Sequence, residues 1–262
     1  MFHYSKAAIR VVPRILVYYT FKLRKWAKNV DKYPRELRFN SLKRMCERIN
    51  KALHVDLHIF GLENIPTDSN YCLICNHMSA YDPVALITTC PGFTTFVGKK
   101  ELMKVKILNR AIESIECLYM DRDDLRQSLK VMLKVEEDLK KKEKNWLIFP
   151  EGTRIRDQLL PVEEFHHGTF RPAYKAGVPI VPVAIYGTFR VFKMKPQFKN
   201  YPVCLSFLKP IMPSDFASMN TGEVAKMAHD AIQRELTYHL RPLDHKIMSE
   251  GKEKHYRFND IL

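Results

Sequence analysis

No run of apolar residues in this chain approaches the roughly 20 that a helix needs to cross a bilayer. The longest uncharged stretch near the start, "ILVYYTF", is far shorter, so a spanning helix is not expected. Internal repeats and low-complexity tracts are missing too, which excludes a solenoid array. Acidic residues are scarce where the chain begins. Among residues 1–60, fourteen Lys and Arg stand against four Asp and Glu, so ten of the net +14 charges lie in the first quarter. Such an excess predicts anionic partners without choosing among nucleic acid, acidic lipid, phosphorylated metabolites and an acidic protein.

What is present fits a globular protein. The 262 residues, 46% of them hydrophobic, suffice for one large domain with or without a helical appendage. Six unevenly spaced cysteines with no recognisable signal peptide are expected to be reduced thiols in a cytosolic compartment. Cys72 and Cys75 form a CxxC, but "YCLIC" reads as a strand, where residues three apart face opposite sides. Two small buried side chains are expected there, with no metal.

The segment "IRVVPRILVYYTFKLRKWAKNV" has helical periodicity. Val12, Ile15, Leu16, Tyr19, Leu23 and Trp26 fall on one face and Arg10, Arg14, Lys22 and Lys25 on the other. A basic amphipathic helix with Tyr and Trp can lie in the plane of an anionic bilayer, or pack on the domain with its charged face in water. A second stretch, "RELRFNSLKRMCERINKAL", repeats the pattern with Leu42, Met45, Ile49 and Leu53.

From about residue 55, strand-like and helix-like segments alternate. The expected fold class is α/β: one domain with a largely parallel sheet flanked by helices, preceded by two N-terminal amphipathic helices. Residues 1–54 are assigned to those helices, 55–242 to the main domain and 243–262 to a loosely held basic tail.

Candidate chemistry gathers at strand ends. In "YCLICNHMSAYDP" a buried strand stops before His77, and Asp82-Pro83 reads as a helix start with Asp82 as N-cap. The pair is either a cap and a loop histidine, or a base whose tautomer a carboxylate fixes. In "FPEGTR", Gly152 permits a tight backbone approach between Glu151 and Arg154, which reads as a phosphate seat or as a turn with a surface ion pair. "YMDRDD" brings Arg122 and "FVGKK" brings Lys99 and Lys100 to the same edge if the strands are parallel. His166 and His167 lack carboxylates or thiols at ligand spacing and read as a solvated pair.

"NHMSAYD" resembles the first sequence block of the glycerolipid acyltransferases, and "FPEGTR" the third block of their 1-acylglycerol-3-phosphate (lysophosphatidic acid) branch. "GKKEL" with "YMDR", and "VPIVPVAIYG", resemble the second and fourth. The resemblance spans about residues 55–210, the main domain, and implies transfer of a fatty acyl group from acyl-CoA or acyl carrier protein to a lysophosphatidic acid hydroxyl. It implies His77 as general base and Asp82 as its partner. Glu151, Gly152, Thr153 and Arg154, with Arg122 and Lys99, are implied to hold the acceptor phosphate, and Pro182 to shape the substrate cleft. No cofactor is implied beyond the acyl carrier.

The chain departs from the family pattern at "MKVKILNRAI", which lacks the usual proline and glycine, and at Ile155 and His166, where serine and lysine are common. Acylation of glycerol 3-phosphate or another lysolipid is the alternative, followed by non-catalytic binding of anionic lipid. Nucleic acid is not expected, since the basic excess follows amphipathic helices rather than a groove with exposed aromatics. The implied setting is the cytoplasmic face of a membrane, held peripherally or monotopically, with Arg10, Arg14, Lys22, Lys25 and Trp26 at the surface.

Overall fold

The computed structural model describes residue 13 and residues 15–154, 161–191 and 200–255. Arg10 and Arg14 therefore lie outside the described residues. A helix entered by residues 15–18 passes through a π turn, Tyr19–Leu23, into α1 (Arg24–Lys28); α2 (Arg35–Ala52) follows after a short turn. The alternating part then runs β1 (Val55–Phe60), β2 (Cys72–Cys75), α3 (Asp82–Thr89), β3 (Thr94–Lys99), α4 (Lys106–Ser114), β4 (Leu118–Met120), α5 (Leu125–Lys140) and β5 (Asn145–Ile148). It ends with α6 (Arg171–Ala176), β6 (Ile180–Tyr186), β7 (Tyr201–Phe207), α7 (Thr221–Glu235) and α8 (Arg241–His255).

Among the described residues seven strands form one sheet, in the order β1-β7-β6-β2-β5-β3-β4. Strands β6, β2, β5, β3 and β4 are mutually parallel; β7 pairs antiparallel with β6, and β1 runs parallel to β7. This is the α/β domain expected from the alternation. β2 lies between β6 and β5 with apolar layers on both faces, which is why "CLIC" is a continuous buried run. Cys72 belongs to one layer and Cys75 to the other, and all six cysteines are free and buried.

α2, α3 and α4 cover one face of the sheet, α5, α6 and α7 the other. The crossover after β2 runs on the first face and that after β5 on the second, so the gap between their carboxyl ends is a topological switch point, where open α/β sheets bind ligands.

The helix ends show why these segments stop where they do. Asp124 caps α5 by accepting from the Gln127 N–H, and Asn220 with Glu223 forms a capping box on α7. Gly177 ends α6 in the left-handed region. Val224, Ala228 and Ile232 of α7, with Leu236 just after it, are all buried.

Two expectations change. The π turn shifts the register of the N-terminal helix by inserting a residue. Ile15, Tyr19, Leu23 and Trp26 of the expected apolar face, joined by Tyr18, turn toward the core, while Leu16, Val17 and Phe21 turn out; Phe21 is 73% exposed. Trp26, expected at the membrane surface, is only 6% exposed and packs edge-on against Tyr18, with Lys22 over its ring. "KELMKVKILNRAI" is a 3-10 turn, Lys100–Lys104, and then α4, broken at Val105. From residue 243 to His255 the chain is part of the helix α8 rather than a loose tail, with Leu243 and Ile247 against the core and Asp244 clasped by Arg190.

α2 is tied to the domain by charge as well as apolar contact. Buried Arg38 donates to the Ser114 and Tyr33 carbonyls and to Glu116 at 2.6 Å. Arg35 and Lys144 also reach Glu116, and Lys144 reaches Asp138.

Candidate active site

The turn after β2 is built around one carboxylate. Asp82 is fully buried and stands at the first position of α3, with Pro83 next. Its Oδ2 lies 2.6 Å from His77 Nδ1 and accepts the backbone N–H groups of Met78 (2.8 Å) and Ser79 (2.9 Å). Asp82 is therefore not the helix cap that its place before proline predicted. The side chain turns back into the preceding loop, and that is how residues five apart meet. Since a carboxylate only accepts, the short contact puts the His77 proton on Nδ1 and leaves Nε2 as the acceptor. The imidazole stacks on Phe149, with ring centroids 4.1 Å apart.

Asn76, which the sequence reading did not single out, holds the entry to this turn. It is buried, donates to the Ile185 carbonyl (3.0 Å) and accepts the Ile185 N–H (2.8 Å). An asparagine matching both backbone groups of one residue on the neighbouring strand is a bridge legible only once β6 is known to lie beside β2.

After β5 the chain enters "EGTR". Glu151 is 3% exposed, and its Oε1 accepts the His77 backbone N–H at 2.7 Å. Burial pushes its carboxyl pKa up to about 8, opposed by that hydrogen bond and reinforced by the charges of Glu163 and Asp82. Glu151 thus lies buried behind the histidine, while the expected phosphate seat would need it at the rim. Gly152 adopts φ 67°, the left-handed region that glycine favours, and lies under the His166 ring. Its N–H is engaged by the Phe149 carbonyl at 3.3 Å rather than offered to a ligand. Thr153 and Arg154 are exposed at the rim.

Arg122 follows β4 and is open to solvent. Partial desolvation lowers its pKa; Glu101 opposes this, and the neighbouring Arg154 adds to it. Arg122 and Arg154 are near enough to repel each other, with Glu101 as a compensating carboxylate, and paired guanidinium groups suit an anion with several oxygens. Lys99, at the end of β3, is half exposed and pairs with Glu101 at 3.2 Å. The geometry thus brings His77 and Asp82 into contact and sets Arg122, Arg154 and Lys99 around the same sheet edge.

Pro182 stands apart. It is buried in β6 opposite Ile74, three residues before His77, and lines a separate cavity of about 350 Å³ with Lys209, Met227 and Arg234 on the α7 side. Its carbonyl accepts the Leu208 N–H beyond the last β6–β7 register pair. A proline is tolerated in this inner strand because it lacks only the donor, at a point where antiparallel pairing has ended.

The profile of the Acyltransferase family matches residues 56–186, the stretch that carries His77, Asp82, Lys99, Arg122, Glu151, Arg154 and Pro182. A protein from Mycoplasma pneumoniae named as a probable 1-acyl-sn-glycerol-3-phosphate acyltransferase is 29% identical over 74% of this chain and 76% of its own length. The 1-acyl-sn-glycerol-3-phosphate acyltransferase of Escherichia coli is 30% identical over 68% of this chain and 74% of its own. The crystal structure of the 1-acyl-sn-glycerophosphate (LPA) acyltransferase PlsC from Thermotoga maritima superposes with a TM-score of 0.68 at 25% identity, covering 89% of this chain and 91% of that one. With its sheet order, its His77–Asp82 contact and these matches taken together, the chain belongs to the acyltransferase family and groups with members named 1-acyl-sn-glycerol-3-phosphate acyltransferases.

Proposed function

We propose that this chain transfers a fatty acyl group from an acyl thioester, acyl-CoA or acyl-acyl carrier protein, to the free hydroxyl of 1-acyl-sn-glycerol 3-phosphate, giving phosphatidic acid. The observation that carries the reading is the 2.6 Å contact between His77 Nδ1 and a buried Asp82, at a switch point edged by arginines.

His77 Nε2 removes the hydroxyl proton as the oxygen attacks the thioester carbonyl carbon. Asp82 holds the ring and stabilises the imidazolium that forms. The tetrahedral intermediate collapses with cleavage of the C–S bond, and the departing thiolate takes the proton back from His77. A C–O bond replaces a C–S bond, and neither a redox partner nor a covalent enzyme intermediate is needed. Arg122, Arg154 and Lys99 receive the acceptor phosphate, and Thr153 stands at the same rim.

The acceptor is an amphiphile, and the reading puts the protein on an anionic membrane surface at its cytoplasmic face. Among the described residues no helix is long and apolar enough to cross a membrane. Support comes from Val17 and Phe21, exposed apolar groups on a helix that also carries exposed Lys22 and Lys25.

The test is a radiolabelled acyl-transfer assay on detergent-solubilised protein, with lysophosphatidic acid as acceptor and each donor in turn, comparing wild type with His77→Ala. Phosphatidic acid from wild type and at least a 100-fold loss in the variant are expected. No product from wild type with either donor overturns the acceptor assignment and brings glycerol 3-phosphate and other lysolipids forward.

A further inference from the structure

We infer that Glu151 is a positioning residue that holds the His77 turn against β5, with no contact to the acceptor. The inference rests on the acyl-transfer reading only for its kinetic test.

The turn is clamped from three elements. Asn76 is fastened to Ile185 of β6 by two hydrogen bonds. The next N–H, that of His77, is fastened to Glu151 at the end of β5. The two after it, of Met78 and Ser79, are fastened to Asp82 at the start of α3. Without Glu151 the backbone at His77 loses the only one of these ties that reaches β5. Its ring would then be located by Asp82 and by the stack on Phe149, itself two residues before Glu151.

Three observations argue against a direct role on the acceptor. The side chain is buried, one oxygen is committed to a backbone amide, and Oε2 is enclosed with no hydrogen-bond partner. The cations suited to phosphate, Arg122 and Arg154, are by contrast open to solvent. A side chain that is 3% exposed, with one oxygen already bonded to a backbone amide, offers an acceptor phosphate nothing to bind. Burial and the nearby carboxylates also favour the protonated acid near neutral pH, so what the site requires is an acceptor oxygen at this reach rather than a negative charge.

The experiment compares wild type, Glu151→Asp, Glu151→Ala and Glu151→Gln in full-length detergent-solubilised protein. Asp shortens the arm by one methylene and Ala removes it. Both are expected to lower kcat about 100-fold, the effect of misplacing a reacting group by about an ångström, with the acceptor KM within threefold. Gln keeps an acceptor oxygen at the same distance, and its amide replaces an acid hydroxyl; it is expected to recover at least tenfold of the kcat lost in Asp. A rise in acceptor KM with kcat preserved would show a direct contact and overturn the inference. A Gln variant as impaired as Ala would overturn it too, since charge would then be the requirement.

A second readout needs no turnover: the rate at which diethyl pyrocarbonate modifies His77, followed by peptide mass spectrometry. It is expected to rise severalfold in Asp and Ala and to stay near wild type in Gln. An unchanged rate in Asp and Ala refutes the clamp. If wild type acylates no lysophosphatidic acid while the labelling follows this order, the acceptor reading falls and the clamp stands.

Discussion

Replacing Asp82 by asparagine isolates charge from shape at the centre of the site. Oδ2 accepts three hydrogen bonds in the native turn, one from the histidine ring and two from backbone amides. An asparagine oxygen can occupy the same point, but as a neutral acceptor whose bonds are roughly half as strong. The larger effect falls on the transition state, where His77 gains a proton. A unit positive charge 2.6 Å from a carboxylate, at an effective dielectric constant of about 20, is stabilised by about 6 kcal/mol. A proton about half transferred retains about 3 kcal/mol of that, or about 100-fold in rate. If the asparagine amide turns toward the ring, it also forces the wrong tautomer, and the loss extends toward about 10⁴. The expected result is a 10²–10⁴-fold drop in kcat with the acceptor KM within about threefold, because the rim cations are untouched. Weakened bonds to a buried group should cost about 1–3 kcal/mol of stability, roughly 2–10 °C in a chain this size, so thermal unfolding must accompany the kinetics. A kcat within tenfold of wild type, with an intact thermal transition, would refute the argument that Asp82 powers the histidine.

Other outcomes are expected at the rim, on the N-terminal helix and at the buried charges. Arg122→Gln and Arg154→Gln should each raise the acceptor KM by about tenfold or more, the lower end for charge-assisted bonds in solvent, with little change in kcat; an unchanged KM in the double variant would remove the phosphate from this rim. Val17→Ser with Phe21→Ser should weaken co-sedimentation with anionic vesicles while leaving the thermal transition in place, since these side chains are 60% and 73% exposed. Lys22→Gln with Lys25→Gln should remove mainly the salt-sensitive part of that binding. Burial would raise the Glu116 pKa, but hydrogen bonds from Arg35, Arg38 and Lys144 outweigh it and hold the carboxyl down at about 2. Its contribution is therefore fully present above the ordinary carboxylate range and is lost as pH falls from about 4.5 to about 2. Glu116→Gln should flatten that window in urea titrations and cost about 3 kcal/mol at pH 7, because Arg38 stays buried; an unaltered acid limb would count against it.

The alternation of strands and helices was legible because buried parallel strands are continuous apolar runs and the helices between them carry one apolar stripe. The nearness of His77 and Asp82 was legible only as one of two alternatives. Which way a carboxylate turns at the first position of a helix depends on the loop before it, and nothing in "DPVAL" records that. Trp26 was legible as part of an apolar face, but whether that face meets a membrane or the domain is a choice that helical periodicity cannot make. The burial of Glu151 was not legible, because it comes from the packing of β5 against β2, a pairing between residues far apart in the chain. Pro182 lies on a strand whose neighbours were readable but whose facing cavity was not. The rim basic residues were easier to place, since exposed cations at strand ends need only the strand order.

The amides of His77, Met78 and Ser79 are three successive donors, a resource that other proteins use to hold a substrate anion. Here the row is already filled by the protein's own acids, two donors on Asp82 and one on Glu151. The floor of the site is thus closed to anions while its rim is basic. A molecule with a phosphate at one end and a hydroxyl nearby then meets a field with a single favourable direction, headgroup outward and hydroxyl toward the base. The same filled row cannot donate to the thioester oxygen as it becomes negative, so the stabilisation of that charge falls to groups outside residues 77–79.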